Sequence, residues 1–253
     1  MKKASMLAAA AMLFGAGSAS AQDWSGFYVG GNLASNSGES LQNATVSGTW
    51  TSESQALRDF VNGHYDGDLE PEGMSYGVQG GYNWQSSGGF VLGAELGYSL
   101  YDVDDGGAAR AGTPAAFPAL TYTVTNTTEI ESAWNARANV GYDFGPVLGY
   151  AVLGYTWADT NSAVNIVSNG NYRKAASVSD QVGGFTWGLG GAMRLGGPWS
   201  ARLEYTHTEF DDTTFTTAYV AGSSFAPPGA NYIETYTQDL STDAIQLGVN
   251  FHF

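Results

Sequence analysis

The chain has 253 residues, 35 of them glycine, with 24 acidic against 9 basic side chains and a net charge of −15. That balance excludes a protein that grips a nucleic-acid backbone, and 43% hydrophobic with 13% aromatic residues excludes a solvated, disordered chain. Cysteine is absent, so there is no disulfide framework and no thiol chemistry, and zinc would depend on three scattered histidines.

Met1-Lys2-Lys3, the apolar run Ala4 to Gly15 and the small-x-small stretch Ala19-Ser20-Ala21 predict a signal peptide over residues 1–21. Its removal leaves about 232 residues with a charge near −17, one structural unit over 22–253. No later apolar run approaches the roughly 18 to 20 residues of a spanning helix.

Period-two alternation instead marks eight segments: Ser25 to Ser35, Met74 to Trp84, Phe90 to Leu100, Ala133 to Phe144, Val147 to Trp157, Gly184 to Leu195, Trp199 to Thr208 and Ala244 to Phe253. In the second, Met74, Tyr76, Val78, Gly80, Tyr82 and Trp84 oppose Ser75, Gly77, Gln79, Gly81 and Asn83. Segments of about 10 to 12 residues are long enough for a tilted strand to cross hydrocarbon. In the fifth, Leu148-Tyr150-Val152 and Val147-Ala151-Leu153 are both apolar, so its register stays open. In the fourth, parity runs from Tyr122 and Val124 through Ile130 to Trp134, so this strand starts well above the membrane. Aromatics gather at the segment ends (Trp84, Phe90, Trp134, Phe144, Trp157, Trp199), where interfacial girdles belong.

The linkers 85–89, 145–146 and 196–198 have hairpin length and turn residues, whereas 36–73, 101–132, 158–183 and 209–243 are long. Strict alternation of short and long connections predicts an all-β, eight-stranded, antiparallel, up-and-down transmembrane β-barrel. Its long loops would be extracellular and both termini periplasmic. A further hairpin inside 158–183 or 209–243 would raise the count to ten. The face opposite the apolar one is small and glycine-rich, as a narrow lumen filled by side chains requires. On it, Glu95, Arg137, Arg202 and Glu204 form a charge network, with Arg194 entering from the neighbouring sixth strand, because charges in a poorly hydrated interior must pair.

Little points to chemistry. His64, His207 and His252 fall on a loop, a strand end and the last strand, without metal-ligand spacing. Asp102-Val103-Asp104-Asp105-Gly106 reads as a solvated turn rather than a calcium loop. Trp50, Phe60, Tyr65, Phe117, Phe215, Tyr219 and Phe225 stand in polar loop sequence and read as mutual packing that keeps the loops ordered. No catalytic residue, metal or cofactor is expected.

Trp24-Ser25-Gly26-Phe27-Tyr28-Val29-Gly30-Gly31-Asn32 resembles the opening strand of small alphaproteobacterial outer-membrane barrels, the porin-family proteins typified by the brucella 25- and 31-kilodalton proteins and their rhizobial relatives. Gly184 to Gly190, Trp199 to Tyr205 and Gln246 to Phe253 are similar to other strands of that family, while the long loops show no specific match. The terminal Phe253 resembles the tag read by the outer-membrane assembly machinery. The resemblance implies an abundant surface protein that stabilises the Gram-negative cell envelope; the barrel itself is expected to be monomeric and in contact with outer-membrane lipid and lipopolysaccharide. The alternatives it leaves open are a small porin-like channel and loops that bind haem or a host surface.

Overall fold

A computed structural model describes residues 23–225 and 229–253; the expected signal peptide, 1–21, lies outside them. Eight long strands form one closed ring: β1 (Gly26–Gly48), β2 (Glu72–Gln85), β3 (Phe90–Gly106), β4 (Tyr122–Asp143), β5 (Val147–Ser168), β6 (Arg173–Gly196), β7 (Trp199–Phe210) and β8 (Tyr232–His252). Each pairs antiparallel with its neighbour in sequence, and β8 closes on β1 along a ladder from Tyr28↔His252 to Gly48↔Tyr232. Closure removes both sheet edges, the only way a sheet satisfies its backbone in hydrocarbon. Both described ends of the chain and the short connections 86–89, 144–146 and 197–198 make one rim, the turn rim. Gly89 (φ 84°) and Gly145 (φ 95°) supply the left-handed conformations those turns require.

A band of apolar side chains faces outward around the half of the barrel next to this rim. Leu96, Val78, Leu189 and Phe27 there are 62–65% exposed, an arrangement stable only against lipid. Trp84, Phe90, Phe144 and Phe253 edge it at the turn rim, and Trp134 and Trp157 stand across from them at its upper limit. The register of β5 is settled: Leu148, Val152 and Ala158 are buried in the lumen, while Leu153 and Trp157 face out.

The segments read as long loops are largely strand. β1 continues to Gly48, β3 to Gly106, and 158–183 is the continuation of β5 and β6 around a four-residue turn, so the hairpin there lengthens two strands and leaves the count at eight. The 11 residues of β5 beyond Trp157 carry the wall roughly 25–30 Å past the apolar band at a tilt of about 40°. Asp102 to Gly106 likewise belongs to β3 and is not a turn.

The continuous parity expected along β4 is also corrected. Ile130 is buried in the lumen but Trp134 is 55% exposed. The register shifts between Ile130 and Ser132 against β5, and between Leu100 and Val103 against β3. A bulge inserts one residue and so transfers the alternation to the other face.

Among the described residues no helix is long and apolar enough to span a membrane. One α-helix is present among the described residues, α1 (Gln55–Tyr65), which follows β1. Ser54 caps its N-terminus by accepting from the Leu57 N–H, and Leu57, Val61 and Tyr65 make its buried stripe.

Candidate functional site

The lumen holds the chemistry, in layers. Closest to the turn rim Trp24, Val91, Leu148 and Ala192 form an apolar floor. Above it Glu95 pairs with Arg137 and, at 2.5 Å, with Arg202, while Arg137 also reaches Glu204 at 2.5 Å. These four side chains come from β3, β4 and β7 and alternate in sign, so the cluster is neutral as a unit. Tyr28 donates to Glu95 at 2.8 Å and Tyr150 donates to Glu204 at 3.0 Å, filling remaining acceptor positions of the buried carboxylates. Inward glycines make space for these large groups. A Cβ on Gly81 would stand 2.5 Å from the Tyr28 hydroxyl, and one on Gly190 would stand 2.5 Å from the Tyr150 ring.

Arg194 is not a member of this cluster, contrary to the expectation from its strand. It pairs in register with Ser200 near the end of β6, one level too close to the turn rim. There its guanidinium lies 4.2 Å over the Trp24 ring and donates to the Asp23 carbonyl at 2.5 Å. Gln85 accepts from the Trp24 N–H at 2.7 Å. Together these contacts fold the chain's first described residues back into the mouth of the barrel, and Trp24 is 1% exposed. Phe253 lies on the outer wall beside them, edge-to-face with Phe251.

Higher in the lumen Thr156, Thr186 and Thr208 share hydrogen bonds of 2.7 and 2.9 Å. Next comes an apolar layer of Val103, Ile130, Ala133, Ala158, Val182, Phe210 and Leu240. A polar layer follows, in which Asn126 donates to Gln42 at 2.8 Å and Gln238 donates to Ser40 at 2.9 Å. The loop rim is closed by α1 and an aromatic cap in which Trp50, Tyr65, Tyr122, Tyr172, Phe215 and Tyr236 are buried.

The centre of the cap is Glu234, fully buried, which pairs with Lys174 at 2.5 Å and accepts from Trp50 Nε1 at 2.8 Å and from the Tyr172 and Thr217 hydroxyls. Burial and the nearby Glu53 and Glu234 push the Tyr122 hydroxyl up to about 12. Of the loop aromatics singled out from sequence, Trp50, Tyr65 and Phe215 are in the cap, Phe60 and Tyr219 pack on it, Phe225 sets its partly exposed ring edge-to-face against Tyr172 and Tyr232, and Phe117 is exposed.

Sequence reading missed Lys174–Glu234 altogether. The available signal was that Lys174 is the only lysine beyond residue 3 and follows Tyr172 at the spacing of one strand face. Tyr150 lies in the fifth segment, whose register the sequence leaves open, so its inward placement beside Glu204 is visible only in the structure. The histidines stay apart. His64 contacts the Tyr122 carbonyl at 3.2 Å, His207 pairs with Asp243 at 3.0 Å on the outer wall, and His252 meets Ser200 at 2.9 Å. Among the described residues no group of His, Asp and Glu side chains could hold a metal ion.

The chain is 28% identical over 145 residues to the 31 kDa outer-membrane immunogenic protein of Brucella melitensis biotype 1, covering 56% of each protein's length. It is 27% identical over 202 residues to the 22 kDa outer membrane protein of Rhizobium leguminosarum bv. viciae, covering 77% of this chain and 68% of that one. Among solved structures it is similar in fold to the outer membrane protease OmpT of Escherichia coli, with a TM-score of 0.50 at 7% identity, over 90% of this chain and 97% of that one. A model of the outer membrane protein beta-barrel domain matches residues 6–253, and the chain, whose closed eight-stranded ring carries an outward apolar band, belongs to that family of outer-membrane proteins.

Proposed function

We propose that this protein is a closed, non-enzymatic barrel that contributes to envelope integrity and presents a rigid surface platform, rather than a diffusion channel. The observation that carries this reading is the filled lumen: the Trp24 floor, the four-member ion-pair layer, an apolar layer and the aromatic cap follow one another from rim to rim. An eight-stranded ring has an interior just wide enough for side chains to fill. A solute would have to displace paired buried charges, at a cost of about 3–5 kcal/mol for each pair broken.

In this reading the turn rim and both termini face the periplasm. The polar extension stands outside, among lipopolysaccharide, with Glu39, Glu72, Asp102 and Glu129 on its outer face. The protein works as a monomer, and its last strand, ending in Phe253, is the segment read by the assembly machinery. The fold likeness to a protease transfers no activity.

The test is a planar-bilayer recording on the purified monomer, with solute-swelling of proteoliposomes beside it. No steady steps and no size-dependent swelling are expected. Reproducible open-channel steps would overturn the reading in favour of a small porin.

A further inference from the structure

Between the Trp24 floor and the ion-pair layer lies a chamber of about 30 Å³, lined among others by Trp24, Asn83, Glu95, Arg137, Tyr150 and Arg202. Its volume suits a single guest the size of one or two waters. Its walls carry an excess of donors. Trp24 Nε1, Arg137 Nε and both Nε and Nη2 of Arg202 are buried nitrogens with no protein partner. Two further unpartnered buried atoms belong to the chamber's lining, and each can be turned to donate: the Asn83 amide can rotate its NH₂ inward, and His252 Nδ1 carries the ring proton when Nε2 accepts from the Ser200 hydroxyl. Trp24 is 1% exposed, Arg202 6% and Asn83 6%, so bulk water does not serve these groups. Buried donors left unmet are destabilising, those of a guanidinium most of all.

Both carboxylates of the layer are committed to the arginines and tyrosines. Glu95 takes Arg137, Arg202 and Tyr28, and Glu204 takes Arg137 and Tyr150. The remaining edges of the two guanidiniums therefore present positive, donating surface that no carboxylate answers.

We propose that this chamber is a binding site for one small monovalent anion of halide size, held by Arg202 Nε and Nη2, Arg137 Nε and the Trp24 indole N–H. An acceptor-only, negatively charged guest satisfies all four donors at once. A water must also donate two protons, for which the chamber offers one amide oxygen, His252 Nδ1 in one of its two tautomers and the residual lone pairs of engaged carboxylates, against four fixed donors. Trp24 is then both a ligand and the stopper of the site: its ring lies under Arg194 and its backbone N–H is fixed by Gln85. The space that admits Arg202 is set by Gly248, whose Cβ would stand 3.0 Å from Arg202 Nε. The site depends on the interior geometry alone, so its test is separate from the question of conduction.

The experiment uses the folded full-length mature chain in detergent, titrated with chloride or bromide against gluconate at constant ionic strength, with thermal unfolding as readout. Crystals soaked in bromide locate the ion by its anomalous signal. The expected result is a saturable, halide-specific rise in the unfolding temperature and one bromide peak between Trp24 and Arg202. Trp24→Phe keeps the stopper and removes one donor, and halide affinity falls about three- to tenfold. Asn83→Asp puts a carboxylate beside the donors and abolishes the halide dependence. Equal unfolding temperatures in chloride and gluconate, with water density and no bromide peak in the chamber, would overturn the proposal. So would a halide effect that survives Asn83→Asp in a variant that still shows the heat-dependent gel mobility of the parent.

Discussion

Arg137 is the side chain whose loss the lumen should tolerate least. It bridges Glu95 and Glu204 with its side chain 8% exposed. On Arg137→Ala, Glu95 keeps Arg202 at 2.5 Å and Tyr28 at 2.8 Å, but Glu204 keeps only the Tyr150 hydroxyl at 3.0 Å. The carboxylate left without a cation is therefore Glu204, not the in-register neighbour Glu95 that sequence alone would single out. The neutral cluster of four becomes a buried cluster of three with one excess negative charge. Breaking a buried pair from one side costs about 3–5 kcal/mol, a large part of the stability of a small domain. Glu204→Gln added to Arg137→Ala removes the excess charge and should return about 1–3 kcal/mol as coupling energy. The assay is urea unfolding of barrels refolded into lipid vesicles, followed by tryptophan fluorescence, with unheated gels confirming assembly. An Arg137→Ala barrel with the parent's unfolding midpoint would refute the pairing argument. So would a double variant less stable than Arg137→Ala.

Lys174→Met leaves Glu234 buried without its cation and should cost about 3–5 kcal/mol locally; faster protease cleavage within 49–66 in a barrel with unaltered gel mobility is the expected outcome. The cap should also loosen in alkali. Tyr122 is raised in the folded state to about 12 from an ordinary value of 10.0, so above the ordinary value the unfolded segment gives up its proton first and folding is progressively disfavoured. This stabilisation is fully present below pH 10 and is lost as pH rises through about 12, which near-ultraviolet circular dichroism would follow; an ordinary tyrosine titration at pH 10 would contradict the buried placement. Gly190→Val places a Cβ 2.5 Å from the Tyr150 ring, and the forced shift should cost about 1–3 kcal/mol and lower assembly yield, measured by the folded fraction on unheated gels.

How far the sequence reached depended on contrast between the two faces of a strand. Within the lipid-facing band one face is apolar and the other polar, so period two fixes both the strands and their inward sides, and Glu95, Arg137, Arg202 and Glu204 follow as lumen residues. Past the band the contrast vanishes. On β1, outward Glu39 and Asn43 alternate with inward Ser40 and Gln42, and polar on both faces reads as loop although the ladder to β8 continues to Gly48. β5 failed for the opposite reason, since both of its faces are apolar; it took the packing of Leu148 against Trp24 and Ala192 to choose one. The bulge in β4 leaves no mark in a single strand, because it exists only as a mismatch of count with its neighbours. Partner choice is likewise non-local. Arg194 and Arg202 both sit on inward-facing positions of adjacent strands, but the stagger of the closed ring puts one over Trp24 at the rim and the other against Glu95. Alternation is a property of each strand's own residues, whereas register, bulges and the stacking of lumen layers belong to the closed sheet, and only the tertiary structure contains them.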